Sequence, residues 1–185
     1  TAPEGGEQAV RAAWNADMTA PIAQTAGQDL GQFGYTSFGT PGTVVEDKTD
    51  PQLGIRTLRF ANGLRLNLKH TDIKHDRVNF ELNLDGGQML DTRTNPLATN
   101  LTNWLPLGGL GKHSYDDLQS ILAGHTVDFS VNPEEETFTM AGGTTPRDLE
   151  LQLDLLAAAI SDPGYRPQGE EQYRRSIESF FAQKD

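Results

Sequence analysis

Phe60-Ala61-Asn62-Gly63-Leu64-Arg65-Leu66 sets the first structural expectation for the chain. Asn-Gly accepts the positive φ that a tight turn between antiparallel strands requires, so this run predicts a β-hairpin whose arms are residues 55–60 and 64–69. Upstream, residues 43–46 form another short β-rich segment. Downstream, Val78, Phe80, Leu82 and Leu84 alternate with Asn79, Glu81 and Asn83, the period-two pattern of a half-buried strand. Gly86-Gly87 ends it.

Beyond those glycines the apolar period lengthens. Leu97, Leu101, Trp104 and Leu105 share one face if residues 96–105 are helical, and Pro96 suits a first turn. The run from Pro106 to Gly111 stops that helix. Ser114 reads as the N-cap of the next one, with Asp116 and Asp117 at the positive end of its dipole and Gly124 as its stop. Residues 127–132 alternate as a strand, Pro133-Glu134-Glu135 turns the chain into residues 137–141, and Gly142-Gly143 closes that hairpin. Leu149, Leu153, Leu156 and Ile160 recur at helical spacing over residues 148–160, before Asp162-Pro163-Gly164. A last helix covers residues 170–181, with Tyr173, Ile177, Phe180 and Phe181 apolar. Strands, two helices, a hairpin and two helices, in that order, predict an α+β domain: a largely antiparallel sheet with helices packed on one face.

Composition bounds what such a domain does. Of 185 residues, 36% are hydrophobic and 22% charged, enough apolar material for one core and too few charges for wholesale disorder. The net charge of −11 is spread along the chain, which speaks against nucleic acid and anionic membrane surfaces, since both reward clustered Lys and Arg. The absence of cysteine removes disulfides, thiol nucleophiles and Cys-type zinc sites. No apolar run has membrane-spanning length, so no membrane insertion is expected, and the N-terminus lacks the layout of a signal peptide. A start at Thr1 is what a segment of a longer protein would show. Residues 1–42, rich in Ala, Gly, Thr and Gln, read as an interdomain linker or N-terminal extension to a domain over residues 43–185. Within that extension, residues 7–16 suit a short helix with Ala9, Val10, Ala13 and Trp14 on one face, and Phe33, Tyr35 and Phe38 read as aromatic anchors for a neighbour.

With these elements placed, the chain resembles a known family. The run Phe60 to Leu66, followed by a Gly-Gly after a strand and then a helix, resembles the opening of a domain of the M16 zinc metallopeptidases, the pitrilysin/insulinase type. The stretch Asp154-Leu155-Leu156-Ala157-Ala158-Ala159-Ile160-Ser161-Asp162-Pro163-Gly164-Tyr165 resembles that family's later helix and exit. Gly108-Gly109-Leu110-Gly111-Lys112-His113-Ser114 and Leu122-Ala123-Gly124 are similar to the second half of large, two-halved bacterial members. The resemblance spans residues 43–183. It implies an α+β fold whose first helix after the Gly-Gly strand carries an inverted His-x-x-Glu-His motif. There two imidazoles face one zinc, the Glu activates a zinc-bound water, and a Glu from a later helix is the third ligand. Laid on this chain, the first His position holds Thr99, the Glu position Thr102 and the second His position Asn103; the distal Glu position falls near Phe180, with Glu178 two residues away. Neutral Thr and Asn supply neither charge nor a general base near neutral pH. The resemblance therefore implies a domain with no catalytic site and no metal of its own, from the C-terminal half of a large bacterial member, whose zinc is bound by a catalytic domain elsewhere in the parent peptidase.

Other constellations read as structural. His70 and His75 are five apart across a strand end, and no two histidines share helical i, i+4 spacing, so a relocated zinc site is not expected. His113, Ser114 and Asp116 have triad residue types, but neighbours at a helix start cannot line up the required hydrogen bonds. His125 reads as a turn residue. Glu134-Glu135-Glu136 reads as a solvated hairpin tip, because consecutive acids point in different directions and do not converge on one Ca²⁺. The functional expectation falls on Val127, Asp128, Phe129, Ser130, Val131 and Asn132, whose place in the order matches an edge strand that, in active relatives, pairs with peptide by strand addition. The first functional reading is thus a non-catalytic domain that helps enclose and position peptide, with sister M16 domains of the same chain as partners. A stand-alone interaction or scaffold subunit, and a metal site rebuilt from Glu178 and a His, stay open. Large bacterial relatives imply a periplasmic or envelope location, the cytoplasm being the alternative.

Overall fold

The computed structural model describes Glu7, Gln8 and residues 31–184. By its contacts the chain divides into two units, 1–30 and 31–185. In the first, Glu7 and Gln8 are helical, and the expected face of Ala9, Val10, Ala13 and Trp14 lies outside the described residues.

The Asn-Gly turn forms as its chemistry requires. Gly63 has φ +93, Phe60 N donates to the Leu64 carbonyl at 2.9 Å, and Leu64 N donates to Asn62 Oδ1 at 3.1 Å. It joins β2 (Ile55–Phe60) to β3 (Arg65–Lys69), and β1 (Val44–Asp50) pairs with β2 on the other side, giving an antiparallel sheet in the order β1-β2-β3. Leu58 stands opposite Leu66, so Leu58, Phe60, Leu66 and Leu68 share one face. That face is only partly covered, with Leu66 and Leu68 exposed.

β4 (Val78–Asp85) pairs along its whole length with β6 (Thr137–Thr144), and β5 (Asn132–Pro133) joins the other edge of β6. The fold is α+β, and among the described residues its antiparallel pairings fall into two three-stranded sheets. The exit from β4 tolerates only glycine: Gly87 has φ +61, and a Cβ there would stand 2.6 Å from Thr137 N and run into the Glu134 carbonyl.

Three α-helices follow. α1 (Tyr115–Ile121) starts at Ser114, whose Oγ accepts from Asp117 N at 3.1 Å while Asp117 Oδ2 accepts from Ser114 N at 2.9 Å, a reciprocal capping box. α2 (Leu149–Ser161) covers the β4-β6-β5 sheet through Leu156, which clusters with Val131 and Met140. Its buried residues are Gln152, Leu155, Leu156 and Ala158, whereas Leu153 and Ile160, placed on the buried face by helical spacing, are exposed. The helix is rotated from that expectation because Asp148 and Gln152 turn inward to bind backbone, as described below. α3 (Pro167–Ala182) begins earlier than expected, with Pro167 in its first turn, and sets Tyr173 edge-on to Trp104 at 5.3 Å.

Two local expectations are corrected. The helix expected over residues 96–105 is a 3-10 helix, Thr99–Gly108. In an α-helix the Pro106 ring would collide with the carbonyl four residues back, that of Thr102. The strand expected over residues 127–132 forms no ladder except at Asn132, which pairs with Thr139. Its backbone is claimed instead by side chains of α2 and β6.

The core has two clusters: Tyr35, Leu110, Leu118, Leu155 and Ala158, and then Val131, Met140 and Leu156; Phe129 and Ala159 touch both. Tyr35 is 6% exposed. Its hydroxyl donates to Asp162 Oδ2 at 2.7 Å and accepts from Lys112 N at 2.8 Å. Burial, then the bond to Asp162, raises the phenol above its ordinary pKa. Beside it, Gly34 N donates to His113 Nε2 at 2.8 Å.

Candidate functional site

The segment from Thr126 to Val131 runs beside β6 without pairing to its backbone. On one edge, its polar groups are matched by buried side chains. Thr126 N donates to Asp148 Oδ2 at 2.8 Å, and the Thr126 carbonyl accepts from Thr144 Oγ1 at 2.6 Å. Asp128 N donates to Gln152 Oε1 and the Asp128 carbonyl accepts from Gln152 Nε2, both at 2.7 Å. Thr144 and Gln152 are 0% exposed and Asp148 2%. Asp148 and Gln152 are four apart at the start of α2 and so face the same way. The Asp148 carboxylate also binds Arg147, Thr145 and His125, whose Nδ1 lies 2.9 Å from Oδ1. The Arg147 guanidinium, then the Thr126 amide, then His125 hold that carboxyl well below the usual carboxylate range.

The other edge is open. Among the described residues, the N–H and C=O groups of Val127 and Phe129 make no hydrogen bond, while their side chains pack against the first core cluster. Residues whose polar groups point one way thus alternate with residues whose groups point the other, as in a strand with one unpaired side. This edge lines a groove of about 640 Å³. The groove brings Val127, Asp128, Phe129 and Ser130 together with Asn103 and Trp104. Val131 lines a smaller cavity of about 230 Å³ with Thr102 and Leu105, and Asn132 lies in β5.

The 3-10 helix separates the residues singled out on it. At three residues per turn, positions 99, 102 and 105 stack, and position 103 points a third of a turn away. Thr99 is buried at 6% exposure, its N and Oγ1 donating to the Asp91 carboxylate at 3.1 and 3.0 Å. Thr102 Oγ1 donates to the Thr99 carbonyl at 2.7 Å, and Asn103 faces the groove. Phe180 lines neither cavity; it is 52% exposed, against Phe181 and Lys184. Among the described residues, no three His, Asp or Glu side chains converge as a metal site would need.

Thr144, Asp148 and Gln152, which hold this segment, are not among the residues that the sequence pattern singles out. The available signal was a pair of polar residues at i, i+4, Asp148 and Gln152, at the start of an otherwise apolar helix.

No protein-family model matches the chain, and no curated protein matches it in sequence. Solved structures of two M16-family peptidases are similar to it in fold. One is the ferredoxin protease FusC, solved as a mutant in complex with Arabidopsis ferredoxin, with a TM-score of 0.70 and 19% identity over 80% of this chain and 16% of that one. The other is the periplasmic protease PqqL from Escherichia coli, with a TM-score of 0.70 and 14% identity over 79% of this chain and 16% of that one. The fold is that of an M16-peptidase-like α+β domain. The chain spans 16% of the length of each of these structures. Among the described residues no helix is long and apolar enough to cross a membrane.

Proposed function

We propose that this chain is a non-catalytic domain of an M16-type zinc peptidase, which holds extended peptide for a catalytic domain elsewhere in a longer protein. The observation that carries this reading is the unpaired outer edge at Val127 and Phe129, set in a groove of about 640 Å³. An added strand bonds alternate residues of its template and seats its side chains in flanking pockets. Thr99, Thr102 and Asn103 support the absence of catalysis here, since none of them offers an imidazole or a carboxylate. Zinc then belongs to the catalytic domain of the parent protein. The open apolar faces at Leu66 and Leu68, and at Ile177, Phe180 and Phe181, suit burial against sister domains of the same fold. Those faces equally favour a second reading, a scaffold subunit of M16 fold that binds no peptide. Likeness to the periplasmic PqqL favours a periplasmic or envelope location.

Val127→Pro separates the two readings. It removes an N–H that faces the groove and breaks no hydrogen bond within the described residues. With a fluorescent heptapeptide of alternating Val and Thr as probe, polarisation is expected to show binding by the unaltered chain and a loss of about tenfold in the variant. Equal affinities would contradict strand addition, and no binding by either chain would favour the scaffold.

A further inference from the structure

Gln152 does what a residue of a neighbouring strand would do. Its carboxamide accepts from Asp128 N and donates to the Asp128 carbonyl, both at 2.7 Å. Two opposed residues of an antiparallel ladder exchange the same two bonds. One residue pair earlier, the task is divided: Asp148 accepts from Thr126 N and Thr144 donates to the Thr126 carbonyl. Four backbone groups of Thr126 and Asp128 are thus matched by three side chains, none more than 2% exposed. With both ends of its carboxamide engaged, Gln152 is fixed in one orientation. The flanking backbone groups, those of Val127 and Phe129, are turned outward and left unbonded.

We infer that Thr144, Asp148 and Gln152 are positioning residues for peptide: they replace a neighbouring strand along the inner edge of this segment, so that its outer edge stands straight and unpaired as a template. The inference rests on the reading of the groove as a peptide site. It makes a chemical demand that simple packing does not. Position 152 must both accept and donate, so only a neutral group with both capacities serves.

The test uses the whole chain, the same Val-Thr heptapeptide and residue-resolved amide exchange. Gln152→Met keeps side-chain length and removes both bonds; amide exchange at Asp128, whose N–H Gln152 accepts, is expected to quicken, and peptide affinity to fall, each by about tenfold. Gln152→Glu keeps the acceptor and loses the donor until it is protonated. Burial at this position raises a carboxyl's pKa, so the variant's affinity, relative to that of the unaltered chain, is expected to recover on acidification from pH 7 to about pH 5. Leu156→Ala lowers stability by opening a cavity beneath the sheet without touching these bonds, and is expected to leave amide exchange at Asp128 near that of the unaltered chain at a temperature where all variants are folded. If Gln152→Met binds peptide and exchanges the Asp128 amide as the unaltered chain does, or if Leu156→Ala matches Gln152→Met in both, the positioning role is overturned while the groove reading stands. If the unaltered chain does not bind the peptide, the groove reading fails and takes the inference with it.

Discussion

Arg166→Met is expected to lower unfolding stability by about 3–5 kcal/mol. The guanidinium gathers four carbonyls along the loop between the 3-10 helix and α1. Nη1 donates to the carbonyls of Gly108 at 2.9 Å, Leu110 at 2.5 Å and His113 at 3.0 Å, and Nη2 donates to the Gly111 carbonyl at 2.9 Å. Leu110, at the centre of that loop, is 0% exposed and belongs to the first core cluster. Met preserves the apolar stem and removes every donor, which leaves the Gly108 and Gly111 carbonyls without a partner among the described residues, while those of Leu110 and His113 keep each other's amides. A hydrogen bond to a charged group contributes about 1.5–3 kcal/mol, and four bonds on one guanidinium are not independent. Arg166→Lys should recover only part of the loss, because an ammonium lacks the planar fork that reaches several carbonyls at once. Urea unfolding at neutral pH reads the effect directly; a loss below about 1 kcal/mol in Arg166→Met would show that water replaces the guanidinium without cost.

Asp148→Asn is expected to lower the thermal midpoint at pH 7 by roughly 5–10 °C and to flatten the acid limb of the stability profile. The native carboxyl is held well below the usual range by Arg147, the Thr126 amide and His125. A depressed folded-state pKa stabilises fully above the unfolded value, near 4, and that contribution is lost as pH falls below it. The unaltered chain should therefore lose stability from about pH 5 downward, and Asp148→Asn should lose less over the same range. Asp117, Glu46 and Asp47 are also depressed by their partners, so some acid sensitivity remains in the variant. Asn can still accept from Thr126 N, but its amide nitrogen meets the donors of Arg147 and His125. Thermal melts of both chains from pH 7 to pH 3 check the prediction; parallel acid limbs would contradict it.

What was legible in the sequence follows from how local each determinant is. The Asn62-Gly63 turn, the Ser114 cap and the alternation of Val78 to Leu84 depend on residues within a few positions, and all three form as read. The apolar spacing of Leu97, Leu101, Trp104 and Leu105 does not distinguish an α-helix from the 3-10 helix Thr99–Gly108, which runs on through Pro106, where the sequence leads one to expect a stop. The backbone of the 127–132 segment was not legible. Its apolar alternation is real, with Val127, Phe129 and Val131 turned to the core, yet its bonding partners lie at Thr144, Asp148 and Gln152 and exist only once α2 is docked. The same inward turn of Asp148 and Gln152 moved Leu153 and Ile160 out of the core. Helical spacing counts apolar residues and cannot see a polar pair that is buried because it has backbone to bind.

The central claim is an M16-type fold that holds peptide without a metal of its own, and calorimetric zinc titration, with metal content measured after dialysis, tests it most directly. The account predicts no equivalent tighter than weak surface binding in the unaltered chain. It predicts the same for the combined variant Thr99→His, Thr102→Glu and Asn103→His, because the 3-10 helix keeps positions 99 and 103 off a common face. One tight equivalent of zinc in the unaltered chain would contradict it and direct attention to Glu178 and the four histidines.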